Sequence, residues 1–351
     1  MIDFTMIFVA IGILVTLAMK HFNNKEFSWR EFGIVVTINS VLILIVAALG
    51  YHANTLDYQL LNGEVTSKAR EEVSCSHSYE CHCRPVSCGK NCSKTKCDIC
   101  YEHSHDYDYI AKTTVGDIII NRIDAQGVNT PPRFNRIKEH EPASVSASFT
   151  NYIKAAPDSL FNLSMLIDSS IVVPEYPEVY DYYRVNRVLV TPDISFSGAS
   201  QLNDLINDSL RTIGKIKEVN IIVIVTGKDR DFADAVKNKW LGGKKNDVVI
   251  MIGLDQDKIK WANSFSFSKS DIVNVKLSHD IRDLEVLDVT KLHRIIIDDV
   301  TQYYERMDME EFSYLMDTID PPTWAIVIAA IFSIGFSIGL SLFMSRRDVR
   351  L

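Results

Sequence analysis

Three long apolar segments limit what this 351-residue chain can fold into: residues 4–19, 33–50 and 324–344. An α-helix crosses a bilayer with about 20 mostly apolar residues. The second and third segments approach that length, and Met1-Ile2 extends the first. A secretory signal peptide is the rival reading of the first segment. It lacks a basic n-region, carries Asp3 and has no A-x-A cleavage site, so an uncleaved span is expected. Asn39 lies inside the second segment, either bonding across to the first helix or standing as a single tolerated polar residue. Trp324 opens the third, where amphipathic rings favour the interface, and Pro321-Pro322 set it apart from what precedes.

The flanking charges give an expected orientation. The loop between the first two spans carries Lys20, His21, Lys25 and Arg30, and the tail 345–351 carries Arg346, Arg347 and Arg350. The positive-inside rule puts both in the cytoplasm. The N-terminus and the region 51–320 are then extracytoplasmic, and that region is tethered to one bilayer at both ends. The formal net charge of −8 argues against a nucleic-acid partner, which would call for a basic face. The expected partners are the bilayer and other membrane or envelope proteins.

Within the soluble region, the stretch VNIIVIVTGKDRDFADAVKNKWLGGKKNDVVIMIGL at 219–254 is the most regular. Its runs 221–225 and 248–252 are short, β-branched and apolar on both faces, as in buried strands. Phe232, Ala235, Val236 and Trp240 between them recur at helical spacing. Asp229 or Asp231 would cap the helix start, and Gly242-Gly243 would end it. A β-α-β unit of this kind favours a parallel pair and a right-handed crossover. An amphipathic helix precedes it (Leu202, Leu205, Ile206, Leu210, Ile213) and a strand at 188–190 comes earlier still. A half-exposed strand (Ile259, Trp261, Phe265, Phe267) would form a hairpin with 248–253. A long helix capped by Thr290 follows (Leu292, Ile295, Ile296, Val300), with Met307 and Leu315 continuing it. The whole is an α/β domain, a sheet covered by helices, over 185–320.

The strand 221–226, Ala235, Trp240, Gly242-Gly243, Asn246-Asp247 and the strand 248–253 resemble the TPM domain family, the repair and phosphatase-like domain of thylakoid and bacterial envelope proteins. The likeness covers about residues 185–310. Asp247 stands where the family usually has Gly, and Phe267-Ser268-Lys269-Ser270 replaces a later Gly-rich turn. The resemblance implies metal-dependent phosphatase activity for some relatives. Asp229, Asp231 and Asp234, near the C-terminal end of the first buried strand, are the candidate Ca²⁺ or Mg²⁺ ligands for it. The competing reading is that these acids favour a helix N-terminus. The chain has no Walker or Rossmann phosphate loop, no G-x-S-x-G elbow and no H-E-x-x-H motif.

All seven cysteines, Cys75, Cys81, Cys83, Cys88, Cys92, Cys97 and Cys100, fall within one segment, with His77, His82, His103 and His105 among or just after them. Few apolar residues accompany them, so cross-links or metal must hold the segment. Cys97-x-x-Cys100 has zinc-knuckle spacing, and Cys81-x-Cys83 or Cys88-x3-Cys92 would complete four ligands. Disulfides are the alternative in an oxidising compartment, and an odd count then leaves one thiol over. Redox catalysis is disfavoured, because Cys97-Asp98-Ile99-Cys100 lacks the strand-then-helix setting of a thioredoxin motif. His103 and His105, two apart, would share one side of a strand as metal ligands or as solvated side chains.

The remaining organisation is expected as a juxtamembrane helix at 51–73 (Leu56, Leu60, Leu61) and a cysteine-rich β module at 74–153. The module would hold a hairpin of 107–111 and 118–123 turning at Val115-Gly116-Asp117, and a third strand at 144–152. Its segment 101–109 is either a recognition surface or a polar hairpin edge. A linker at 154–184 contains the apolar run 160–167, expected to pack a helix between the modules. The leading functional expectation is a non-enzymatic membrane protein that binds or scaffolds envelope proteins. The alternatives are a TPM-type phosphohydrolase and a metal or redox sensor acting through the cysteine cluster.

Overall fold

The computed structural model of the chain describes residues 2–22, 26–87, 93–156 and 171–346. Lys25, Cys88, Cys92, the run 160–167, Arg347 and Arg350 lie outside the described residues. Among the described residues, three helices are long and apolar enough to cross a membrane. The first, α1 (Ile2–Phe22), pairs with α2 (Trp29–Thr55). A capping box between Ser28 and Glu31 starts α2 four residues before its apolar run. The C-terminal helix runs through Thr323–Ala330, a π-helical turn at Ile331–Phe336, and Ser337–Arg346. Small and polar residues bring the three together. Asn39 is buried against Gly12, where a Cβ would lie 2.1 Å from its Nδ2. Ser333 donates to the Phe8 carbonyl of α1 (2.9 Å). Gly50 abuts Ala325 and Pro322, and the Asn54 amide donates to the Asp320 carbonyl (2.7 Å). The chain therefore leaves the end of α2 and returns beside it.

No juxtamembrane helix intervenes. The chain turns at Leu56 straight into an 18-residue strand, β1 (Leu56–Val73). The expected helix at 51–73 is overturned beyond Thr55, because the β1 backbone pairs along its length with β6 and then β4, and Asp57, Gln59 and Asn62 are buried in polar contacts. A hairpin follows, β2 (Ser78–Ser87) and β3 (Ser93–Tyr101), then β4 (Asp106–Thr113) and β5 (Ile118–Ile120), which pair about the expected turn. The short helix α3 (Pro132–Arg136), β6 (Pro142–Thr150) and α4 (Tyr152–Ala155) complete the module. Its sheet has the order β5-β4-β1-β6. The first half of β1 pairs with β6 and the second half with β4, so the module begins at Leu56 rather than at 74.

Residues 171–184 of the expected linker also belong to the fold. Ile171, Val173 and Tyr176 pack on the α/β domain, and Tyr176 meets Trp240 edge-on (5.2 Å). A small hairpin, β7 (Val179–Tyr180) and β8 (Arg184–Val185), precedes the second sheet. That sheet is built from β9 (Val188–Val190), α5 (Ala199–Lys217), β10 (Asn220–Thr226), α6 (Asp231–Lys239), β11 (Asp247–Asp255) and β12 (Lys258–Ser266). Its order is β12-β11-β10-β9, parallel except for β12. Two helices follow, α7 (Ile272–Arg282) and α8 (Val289–Tyr303). α5, α7 and α8 cover one face, packed on Ile221, Val223, Val225 and Ile250; α6 covers the other, on Ile222, Ile224, Val249 and Met251. The expected α/β domain, a sheet covered by helices, is thus present. The strands step across the sheet in one direction while α5 and α6 lie on opposite faces. The two crossovers are therefore of opposite hand, and one departs from the right-handed rule. Asp288 rather than Thr290 caps α8, accepting from Lys291 N–H (2.8 Å). α8 stops at Tyr303, and Met309–Thr318 is a separate 3-10 helix leading to the C-terminal span.

Candidate functional site

The β2-β3 hairpin carries two disulfides, Cys81–Cys100 and Cys83–Cys97. Cys97 and Cys100, the expected zinc-knuckle pair, enter different bridges, so in this oxidised state their sulfurs cannot ligate metal together. The register slips between Cys81 and Arg84, with His82 at positive φ in the bulge. A two-stranded hairpin has too little surface to bury and is marginal by itself, which the cross-links offset. Ile99 and Tyr101, two apart on β3, share one face and are 69% and 58% exposed. Tyr79 is exposed on the other face, directly opposite Cys100.

At the base of the hairpin Cys75 is a buried free thiol. Its Sγ lies 3.7 Å from His103 Nδ1, and the same nitrogen lies 3.3 Å from Asp106 Oδ1. The Asp106 side chain is fully buried. Its Oδ2 accepts from Ser76 N–H (2.9 Å) and from Arg122 (2.8 Å), while Oδ1 has no hydrogen-bond partner. The Ser76 N–H and the Arg122 guanidinium hold the Asp106 carboxyl well below the usual carboxylate range despite burial. Arg122 also donates to Asp108 (2.9 Å). His103 and His105 do not share a strand side, since both precede β4, His103 in a bend and His105 just after it. His103 turns towards Cys75 and Asp106; His105 turns away to Glu72 (3.5 Å) and the Tyr107 hydroxyl (2.9 Å). Asp106 was not legible as a partner of Cys75 because the hairpin separates them in sequence and closes them in space. The pairing of His77 with Glu102 backbone groups (3.1 Å) is what closes that base.

The acids Asp229, Asp231 and Asp234 are all exposed. Asp231 and Asp234 occupy the first turn of α6, but Arg230 holds the cap position and no side chain caps the helix. Among the described residues, the groups of ligand atoms that converge within 4.8 Å involve the cysteine region, and these three acids are in none of them. A different acid engages the strand ends. Asp193 accepts from Gly227 N–H (2.7 Å), beside the Thr191–Thr226 hydroxyl pair (2.9 Å). Burial opposes, but these donors and Lys228 hold its carboxyl below the usual range.

A second polar cluster joins the two domains at the opposite, N-terminal ends of β10 and β11. Arg187 is completely buried. It donates to Asn207 (2.8 Å), Asn62 (2.5 Å), Ser144 (2.6 Å) and Asn220. Asp247, also fully buried, accepts from Tyr176 (3.0 Å), Asn220 (2.7 Å) and Lys244 N–H (2.6 Å). Burial nevertheless pushes its carboxyl up to about 6. Gly214 lets α5 approach β1, because a Cβ there would meet Asn62 Cβ at 2.6 Å. Tyr176, Lys244 and Asp57 line a nearby 430 Å³ groove, in which Lys244 pairs with Asp57 (2.6 Å). Each of these groups is spent on a neighbour, which makes the cluster an inter-domain joint.

Comparison with protein-family models, with curated proteins and with solved structures found no match for this chain.

Proposed function

We propose that the chain is a membrane-anchored binding protein that presents its disulfide-bonded hairpin to a protein partner on the extracytoplasmic side. The observation that carries this reading is the hairpin itself: exposed Tyr79, Ile99 and Tyr101 on a frame that two covalent bonds keep rigid. Aromatic anchors with few rotatable bonds lose little entropy on docking and dominate interface energetics. Disulfides fit an oxidising compartment, and the basic loop Lys20–Arg30 favours the cytoplasm for the other side, so two independent arguments support this orientation. The α/β domain, in this reading TPM-like over 185–320, is the platform that carries the hairpin. Its support is the parallel β10-α6-β11 unit with Gly242 and Gly243 at positive φ after Trp240.

The test is a photo-crosslinking amino acid placed at Ile99 or Tyr101 of the full chain in native membranes, with Ile216 on α5, 72% exposed, as control. A discrete adduct at the hairpin positions is expected, lost in Ile99→Asp while both disulfides persist by mass. Adducts equal to those at Ile216, or insensitive to Ile99→Asp, refute the reading.

A further inference from the structure

We infer that Cys75, His103 and Asp106 form a mononuclear zinc site at the base of the hairpin, with one coordination position open to solvent. The site is separate from the disulfides and does not depend on what the hairpin binds. Three features point to it. The donor set is one thiolate, one imidazole and one carboxylate, a combination that suits a borderline-soft divalent ion. The separations suit it as well. Zinc bonds of about 2.0–2.3 Å in a tetrahedron put neighbouring donors roughly 3.3–3.7 Å apart. The thiol and imidazole stand 3.7 Å apart, and the imidazole and carboxylate 3.3 Å. The third feature is Asp106 Oδ1, an oxygen on a fully buried side chain without a hydrogen-bond partner, facing the other two donors. Buried polar atoms are nearly always satisfied, and a zinc bond would satisfy this oxygen more fully than its 3.3 Å contact with His103 does.

The arrangement is a poor proton relay and a good chelate. A relay would use the two imidazole nitrogens on opposite sides of the ring, whereas here Nδ1 faces both the thiol and the carboxylate. The outer contacts are those of a metal site: Arg122 and Ser76 N–H fix Asp106 through Oδ2 and leave Oδ1 free to ligate. Zinc would displace the Cys75 thiol proton to solvent and break the thiol's contact with the His77 carbonyl (3.4 Å). The His103 side chain is 27% exposed, so water can reach the fourth position. Because Cys75 precedes β2 and His103 and Asp106 follow β3, the ion would fasten both legs of the hairpin to the start of β4.

The experiment uses the full chain in detergent, purified without chelator, with zinc counted per chain and cobalt exchanged in as a spectroscopic probe. One zinc per chain is expected, and cobalt should give tetrahedral bands with a single thiolate charge-transfer transition. Cys75→Ser should abolish that transition, and Asp106→Asn should weaken retention at least tenfold, with both disulfides still present by mass. A Cys88→Ser/Cys92→Ser double variant should retain the metal unchanged. The wild-type protein decides the matter even if the variants fail to fold. Absence of the charge-transfer band after cobalt loading overturns the site, as does an intensity of two or more thiolates. Metal lost in the Cys88/Cys92 variant but kept in Cys75→Ser overturns it too.

Discussion

The hairpin and the α/β domain are stabilised by opposite means within one chain. β10 and β11 are buried along nearly their whole length and sandwiched between helices. At about 25 cal/mol per Å² of apolar surface, such a sheet draws its stability from solvent exclusion. β2 and β3 pack chiefly on each other, and most of their described side chains are exposed. Their order comes from closing loops in the unfolded chain. A core tolerates reductant and fails when a methylene group is removed; a stapled hairpin does the reverse. Variability at the hairpin surface therefore costs the fold little, which suits a contact surface.

The comparison can be broken first at the joint. Arg187→Ala strands the acceptors of Asn62, Asn207 and Asn220 in a buried setting, and should cost about 3–5 kcal/mol. The melting of the detergent-solubilised chain reads this, and a loss below 1 kcal/mol would mean that water replaces the guanidinium. Next, Ile250→Ala in β11 should cost about 2–5 kcal/mol while leaving the hairpin's protease resistance intact. Removing Cys81–Cys100 by paired serines should loosen the hairpin locally by up to about 3 kcal/mol. Limited proteolysis between β2 and β3 would report it; a matching fall in the main melting transition would show that the two regions are coupled.

A smaller effect lies in pH. Asp247 has its carboxyl raised from 3.8 to about 6, so it favours the folded state fully below pH 3.8, and that contribution is lost as pH rises through about 6. Melts at pH 5 and pH 7 should differ less in Asp247→Asn than in the natural chain. Equal differences would show that Asp247 does not titrate in that window. Smallest of all, Asp231→Asn on exposed α6 should change stability by no more than about 0.5 kcal/mol.

What could be read from sequence followed the density of the apolar signal. The strands 221–225 and 248–252 announce themselves because every position is apolar, and the three helices because nearly every position is. β1 is hidden because Leu56, Leu60 and Leu61 fall at helical spacing while Asp57, Gln59 and Asn62, polar residues, are the ones buried against the second domain. The segment 171–176 looked like a linker for its prolines, yet it fills the α6 face without regular structure. α7 shows in the sequence only as Val273, Leu277 and Ile281, which mark its buried side at four-residue spacing. The cysteines could be counted but not paired, since pairing depends on a register set by the bulge at Cys81. The cluster at the hairpin base needed that closure before Asp106 could join Cys75.

The passage from α2 into β1 without an intervening loop acts as a ruler. Eighteen extended residues span at most about 60 Å, at roughly 3.3 Å each. The hairpin base at Val73 therefore cannot stray further than that from the point where α2 ends, however the domain leans. The Asn54–Asp320 contact closes the return path at the same point, so the domain pivots about one post instead of being slung between two. The ten-residue strand β2 adds about 33 Å at roughly 3.3 Å per residue, so the reach of the hairpin tip from the end of α2 has a fixed ceiling.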